Sequence, residues 1–320
     1  MNEISQKIFE SGIIPVVKID YPEDAVPLSR ALRKGGLNCV EITFRTEAAQ
    51  DSIRKIAAEF PDMLIGAGTV LTTQQSDYAI NAGASFIVTP GFNPRIVDHC
   101  LDRSYAIYPG VSNASDIESA LEKGLNDLKF FPAEASGGLP VIKALSGPFP
   151  SVNFIPTGGI NEENLNSYLS YEKVIACGGS WMVKETLIKE KRFDEIEFIT
   201  KNSIQKMLGF KLQHIGINCE NGEIAIQEAQ LMNSLFDWPL KSTDNSFFVG
   251  TEFEIMKERH FGKNGHIGIS TNNVDRAYLF LKNKGIEFNE DTVQYDEIGK
   301  RKAAYFKNEI SGFAIHLCKK

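Results

Sequence analysis

The stretch DLKFFPAE, residues 127–134, is a short apolar run with one cation inside it, closed by a proline. It is the sixth of eight comparable runs in the first two thirds of the chain. Before it come IIPVVKI from Ile13, CVEITF from Cys39, MLIGAGT from Met63, SFIVTPG from Ser85 and YAIYPG from Tyr105. After it come FIPTGG from Phe154 and VIACGG from Val174. Most are continuously apolar, as strands buried on both faces of a parallel sheet must be. Between them lie stretches with a helical apolar stripe, among them Glu23 to Lys34, Ala48 to Phe60, Ser115 to Lys123 and Glu162 to Leu169. Asn161 and Ser115 stand where helix N-caps belong, and Gly35 and Gly124 where helices stop. Eight strand–helix units in about two hundred residues read as an α/β fold, a (β/α)8 TIM barrel. A doubly wound open sheet is the alternative, but no GxGxxG turn follows the first strand, which ends in Lys18-Ile19-Asp20.

The texture changes near Leu208, which sets the expected boundary: residues 1–208 for the barrel and 209–320 for a second domain. From Phe210 a pattern of strand, helix and several strands occurs twice. FKLQHIGI, a helix from Glu223 to Leu235 and strands near Phe247–Val249 and Phe253–Met256 form one copy. GHIGIS from Gly265, a helix from Val274 to Lys284 and strands near Ala303–Phe306 and Phe313–Leu317 form the other. HIGIN at His214 and HIGIS at His266 support an internal repeat. The expected domain is small, α+β, and built from paired βαβββ modules.

The 320 residues carry a net charge of −7, which offers no attraction to nucleic acid or to an anionic membrane. Five scattered cysteines form no knuckle or redox motif and read as reduced thiols. Residues 1–10 lack the apolar core of a signal peptide, and no apolar run is long enough to span a bilayer. A cytoplasmic protein is expected.

Barrel catalysis sits at the C-terminal ends of the strands. There the second run offers Glu41, Thr43 and Arg45 on one face by alternation. The third offers Thr69, and the fourth Pro90, shaping a turn. Lys129 is costly in an apolar strand end unless it is used or paired, with Glu41 or Glu134 as its candidate partners. Imine formation with a ketone is the use such an amine suits. PTGGI and ACGGS, at the ends of the last two runs, let backbone N–H groups approach an anion, aided by the dipole of the following helix.

EITFRTE, GAGTV, TPG, KFFPAE, PTGGI and GGSW occur in that order, and together they resemble the 2-keto-3-deoxy-6-phosphogluconate / 4-hydroxy-2-oxoglutarate aldolase family over residues 4–205. The resemblance implies a trimeric class I aldolase barrel that needs no metal and acts on a small keto acid, phosphorylated or bearing a second carboxylate. By match to the family's motifs, Lys129 is the Schiff-base lysine and Glu41 the general acid–base. Arg45, Thr69 and Thr157 match groups around the pyruvate carboxylate, and Phe131 an aromatic covering the pocket. Gly158, Gly159, Gly179 and Ser180 match a phosphate cradle, and Lys18 stands where many relatives carry a basic residue. A phosphate-binding isomerase or epimerase without imine chemistry is the competing barrel function.

The second domain resembles the vicinal-oxygen-chelate, or glyoxalase-like, family. His214, His266 and His316, with Glu254, are its candidate ligands for a divalent metal, although His316 stands where glutamate is more usual. A second enzyme, a ligand-sensing module or an appendage without a site are the open uses. His99 and His260 have no evident partners in the sequence.

Overall fold

The computed structural model describes residues 2–297 and 299–320. They separate into two compact units, Met1–Met207 and Leu208–Lys320.

Unit 1 begins with α1 (Glu3–Ser11), capped by the Asn2 side chain, which accepts from the Ser5 amide. Strands β1 (Ile13–Val17), β2 (Cys39–Thr43), β3 (Leu64–Gly68) and β4 (Phe86–Val88) follow, with α2 (Ala25–Lys34), α3 (Ala49–Glu59) and α4 (Thr73–Ala82) between them. After α5 (Pro94–Asp102) the fifth run is not one strand but two short ones, β5 (Ile107–Tyr108) and β6 (Gly110–Val111). Pro109 interrupts it because proline has no N–H to give a ladder. The unit continues through α6 (Ala114–Glu122), β7 (Asp127–Phe130), α7 (Gly138–Ser146), β8 (Asn153–Pro156), α8 (Leu165–Leu169), β9 (Cys177–Gly179), α9 (Glu185–Lys189) and α10 (Phe193–Leu208).

The strand order β5-β4-β3-β2-β1-β9 and the order β6-β7-β8 are parallel throughout. The two halves of the broken strand join them on one side, and parallel bridges Phe154–Val174 and Thr157–Gly178 join them on the other. The result is a ring, a TIM-barrel-like α/β fold. Cys39, Leu64 and Phe86, the first residues of their strands, pack with Ile8 and Ile14 in a core cluster. The same cluster takes in Val88 and Tyr108, the last residues of β4 and β5.

Both helix N-caps expected from the sequence differ in the structure. Asn113, not Ser115, caps α6, accepting from the Asp116 amide. The helix after β8 is only Leu165–Leu169, because Asn161 instead organises a turn, accepting from the amides of Glu163 and Asn164. That short helix supplies no significant dipole to a phosphate site.

Unit 2 is a mixed sheet with two helices. The first copy is β10 (Lys211–Asn218), α11 (Gly222–Phe236), β11 (Leu240–Ser242), β12 (Ser246–Val249) and β13 (Phe253–Met256). The second is β14 (Gly265–Thr271), α12 (Val274–Asn283), β15 (Gln294–Tyr295), β16 (Arg301–Tyr305) and β17 (Phe313–Lys319). The sheet order is β11-β12-β13-β10-β14-β17-β16-β15, so the copies meet where β10 runs antiparallel to β14. Each copy also pairs its first and last strands in parallel, β10 with β13 and β14 with β17. Ala225 and Ala229 of α11 pack on Val249 and Ile255, which leaves the inner strands free to carry polar groups on the other face.

Among the described residues no helix is long and apolar enough to cross a membrane. The cysteines are free: Cys39, Cys100, Cys177 and Cys219 are buried, and Cys318 is partly exposed.

Candidate functional site

A cavity of about 560 Å³ opens at the strand ends of unit 1. Thr43, Arg45 and Phe131 line one part of it, and Thr157, Gly158 and Gly159 another. Gly179, Ser180 and Trp181 close a third side, with Lys18 at the edge. Most of the residues singled out in the sequence therefore share one space.

Lys129 and Glu41 are buried together. Nζ of Lys129 lies 3.3 Å from Oε1 of Glu41, and their side chains are 6% and 3% exposed. The amine also lies 5.3 Å from the centre of the Phe131 ring. Of the two carboxylates weighed as its partner, Glu41 is the one that meets it. Glu134 is engaged elsewhere, accepting from the Tyr168 hydroxyl. Gly68 makes room for the Glu41 carboxylate: a Cβ there would overlap it.

Thr69 does not line the cavity itself. Its backbone is left-handed, with φ 52°, unusual for a β-branched residue. That turn brings Thr69 Oγ1 within 3.2 Å of Arg45 Nε, which donates to it and is thereby oriented. Pro90 is likewise set back. Its carbonyl stands where a Cβ on Gly110 would be, so it shapes the backbone beside the broken strand rather than the cavity wall. Arg45 lies beyond the end of β2 and is exposed, whereas Thr43 is buried and donates to the Val17 carbonyl at 2.9 Å.

The glycine turn after β8 has φ 97° at Gly158 and 82° at Gly159, which favour glycine. Glu134 N donates to Gly158 O at 3.0 Å, and Ala133 N to Thr157 O at 2.7 Å. Lys18 pairs with Glu185 at 3.1 Å and Asp20 at 3.2 Å, and Glu185, then Asp20, hold its amine above the ordinary lysine value. Lys184 and Glu185, also on the cavity wall, were not singled out in the sequence. Nothing in a charged pair near a helix start distinguishes a pocket rim from a solvated surface.

The family model for KDPG and KHG aldolases matches residues 4–199. The chain belongs to the KDPG and KHG aldolase family. The 2-dehydro-3-deoxy-phosphogluconate aldolase of Haemophilus influenzae is 49% identical over 202 residues, which is 63% of this chain and 95% of that protein. The same-named enzyme of Treponema pallidum is 49% identical over 193 residues, 60% of this chain and 92% of that one. A crystal structure of KDPG aldolase from Legionella pneumophila, with pyruvate captured as a covalent carbinolamine, is 40% identical. It covers 63% of this chain and 98% of its own, with a TM-score of 0.61. Unit 1 of this aldolase is accordingly a class I, Schiff-base pyruvate aldolase, and its substrates are keto acids. Chemistry of that class needs no cofactor. The family match ends at residue 199 and leaves unit 2 outside it.

Unit 2 of the aldolase gathers the other predicted residues. His266 Nε2 lies 3.1 Å from His214 Nε2 and 3.2 Å from Glu254 Oε2. His316 Nε2 lies 3.3 Å from His214 Nε2, and Glu254 Oε2 3.5 Å from it. The three imidazoles thus bring one ring atom each within 4.8 Å of one another, a set that could hold a metal ion, with the Glu254 carboxylate beside His214 and His266. Burial pushes Glu254 up, but hydrogen bonds from His266 and Ser246 outweigh it and hold the carboxyl below the usual range. Burial pushes His214 down. Burial, then the neighbouring His214 and His266, pushes His316 down to about 4. His316 and His214 are therefore neutral and Glu254 charged at neutral pH, as ligands must be. Ser246 Oγ donates to the outer oxygen of Glu254 at 2.7 Å, and Tyr305 stacks on His316 at 4.6 Å. His260 is not remote either: its ring lies 6.3 Å from that of His266. His99 has a partner too, Asp77 at 2.9 Å, one helix away.

Proposed function

We propose that unit 1 cleaves 2-keto-3-deoxy-6-phosphogluconate to pyruvate and glyceraldehyde 3-phosphate, 4-hydroxy-2-oxoglutarate to pyruvate and glyoxylate, or both, through an imine on Lys129. The observation that carries this reading is the buried contact of Lys129 with Glu41 inside a barrel of this family. Glu41 is placed to take a proton from the ammonium and free the amine for attack on the C2 ketone. Glu41 returns that proton to the C2 oxygen of the carbinolamine, which leaves as water, and with the iminium formed the regenerated carboxylate accepts the proton of the C4 hydroxyl. The C3–C4 bond breaks, its electrons enter the iminium to give an enamine, and the aldehyde leaves. Protonation at C3 and hydrolysis release pyruvate and restore the amine. Arg45, oriented by Thr69, holds the substrate carboxylate, with Thr157 beside the ketone oxygen and Phe131 covering the iminium. The N–H groups of Gly158, Gly159, Gly179 and Ser180 hold the distal phosphate or carboxylate, and Lys18 adds charge at the edge.

In this reading unit 1 is a complete (β/α)8 barrel, with β5 and β6 as one stave, and it assembles as a homotrimer like the family it resembles. Incubation with pyruvate and sodium borohydride, followed by peptide mapping, tests the chemistry. A pyruvate-sized adduct on Lys129 is expected; its absence from folded protein would exclude the imine.

Unit 2 we read as a vicinal-oxygen-chelate module pair holding a divalent ion on His214, Glu254, His266 and His316. Bonds of about 2.0–2.1 Å in a tetrahedral set place neighbouring ligands about 3.3 Å apart, which supports this reading for the four separations that involve His214 or link His266 to Glu254, 3.1 to 3.5 Å. Such an ion, when bound, supplies Lewis acidity toward oxygen ligands. Elemental analysis of the purified protein, with loss of the metal in His214→Ala, is the test.

A further inference from the structure

The four candidate ligands of unit 2 lie in two rows across the sheet. One row runs from Glu254 on β13 to Gly216 on β10 to His266 on β14. The other runs from His214 on β10 to Gly268 on β14 to His316 on β17. In both rows the two ligands stand on strands separated by a third, and the residue between them is glycine.

Adjacent strands lie about 4.8 Å apart, so the ligand backbones in a row are roughly 9.6 Å apart. Their side-chain tips nevertheless come to 3.2 Å, His266 to Glu254, and 3.3 Å, His214 to His316. The side chains cross that gap by leaning over the middle strand. Directly paired residues point to the same face of a sheet, so a side chain in the middle would compete for the same space. A Cβ on Gly216 would overlap the His266 ring, and a Cβ on Gly268 would overlap the His214 ring. Neither glycine has the left-handed backbone that would call for glycine on conformational grounds. A glycine inside a strand costs stability and packing, so close approach is the remaining reason for it. The repeated His-Ile-Gly of the sequence therefore has reciprocal parts: the histidine of each copy lies over the glycine of the other.

We propose that Gly216 and Gly268 are positioning residues of this cluster, and that the space they leave sets its affinity for a divalent cation. The inference rests on the reading of the cluster as a metal centre. It makes the glycine of the repeat as necessary as the histidine, although glycine offers no ligand atom.

The experiment uses the full-length protein and its Gly216→Ala and Gly268→Ala variants, with cobalt(II) as the probe. Affinity is read by competition with a chromogenic chelator, and geometry by the visible spectrum of bound cobalt. The parent is expected to bind one equivalent, and each variant, folded by circular dichroism, to bind at least a hundredfold more weakly. Parent-like affinity and spectrum in both variants would overturn the proposal. Failure of the parent itself to take up cobalt would overturn the metal reading instead, and the proposal with it. A second measurement isolates the contact in metal-free protein. Gly216→Ala is expected to lower the melting temperature, and that loss is expected to disappear in a His266→Ala background. This holds even if the single variant does not fold, since the double variant should then recover. An equal loss in both backgrounds, or no recovery, would show that the glycine is not there for the ring.

Discussion

Lys129 and Glu41, on strands β7 and β2, meet across the barrel interior at 3.3 Å with both side chains buried. A pair so placed serves proton transfer as directly as it serves charge neutrality, and substitutions can separate the two. Glu41→Gln keeps the volume and a hydrogen-bond acceptor but cannot take a proton. Turnover should fall by roughly 10²–10⁴-fold, the usual range for loss of a general base. Borohydride trapping of pyruvate should persist at a reduced rate, as quench-flow mass spectrometry would show.

Gly68 gives an independent handle on the same carboxylate. A Cβ at this position overlaps the Glu41 side chain. Gly68→Ala should lower kcat at least tenfold without removing any reacting group. If kcat and KM both stayed at parent values, the position assigned to Glu41 would be wrong.

Thr69 carries strain in the service of Arg45. A non-glycine residue in the left-handed region costs on the order of 1–2 kcal/mol, and Thr69 has φ 52°. Thr69→Gly should therefore melt no lower than the parent, within a few degrees, while KM rises several-fold because Arg45 Nε loses its acceptor. A drop in both stability and affinity would instead assign Thr69 a packing role.

Alkaline stability should fail in a defined window. Burial, then the charge of Glu41, pushes the Cys39 thiol up to about 12. Burial first, against the opposing bond from Ser5, pushes the Tyr108 hydroxyl up to about 12. In the unfolded chain these groups ionise at their ordinary values, about 8.5 and about 10. Their folded pKa values are raised, so the stability they support is full below the unfolded values and lost as pH climbs toward 12. Urea midpoints at pH 8, 9.5 and 11 should decline in that order, more slowly in a Cys39→Ala variant.

Metal removal should divide the two units. A ligand that binds only the folded state stabilises it by about 2.7 kcal/mol at a hundred times its Kd. Cobalt or zinc should slow amide exchange in the peptides of β10 and β14. A chelator should leave aldolase turnover unchanged, because the imine cycle proposed for Lys129 has no metal step. Chelator-sensitive turnover would refute that independence.

Much of this was legible in the sequence because parallel strands buried on both faces write continuous apolar runs. The run from Tyr105 was legible as a strand, but its break was hidden in the proline it contained. The choice between Glu41 and Glu134 was not legible, because it depends on Tyr168 reaching Glu134 from a helix more than thirty residues away. Asn113 and Ser115 are both plausible caps by composition, and only the turn geometry separates them. In unit 2 the histidines were visible as a repeat. The glycines beside them carried no separate signal in the sequence, since what they face appears only when β10 and β14 are laid side by side.

Each ligand row of unit 2 crosses the seam between β10 and β14. Neither copy of the repeat owns a complete row, so the cluster exists only while the two halves keep their register: a slip of one residue between β10 and β14 would turn the side chains that now meet to opposite faces of the sheet.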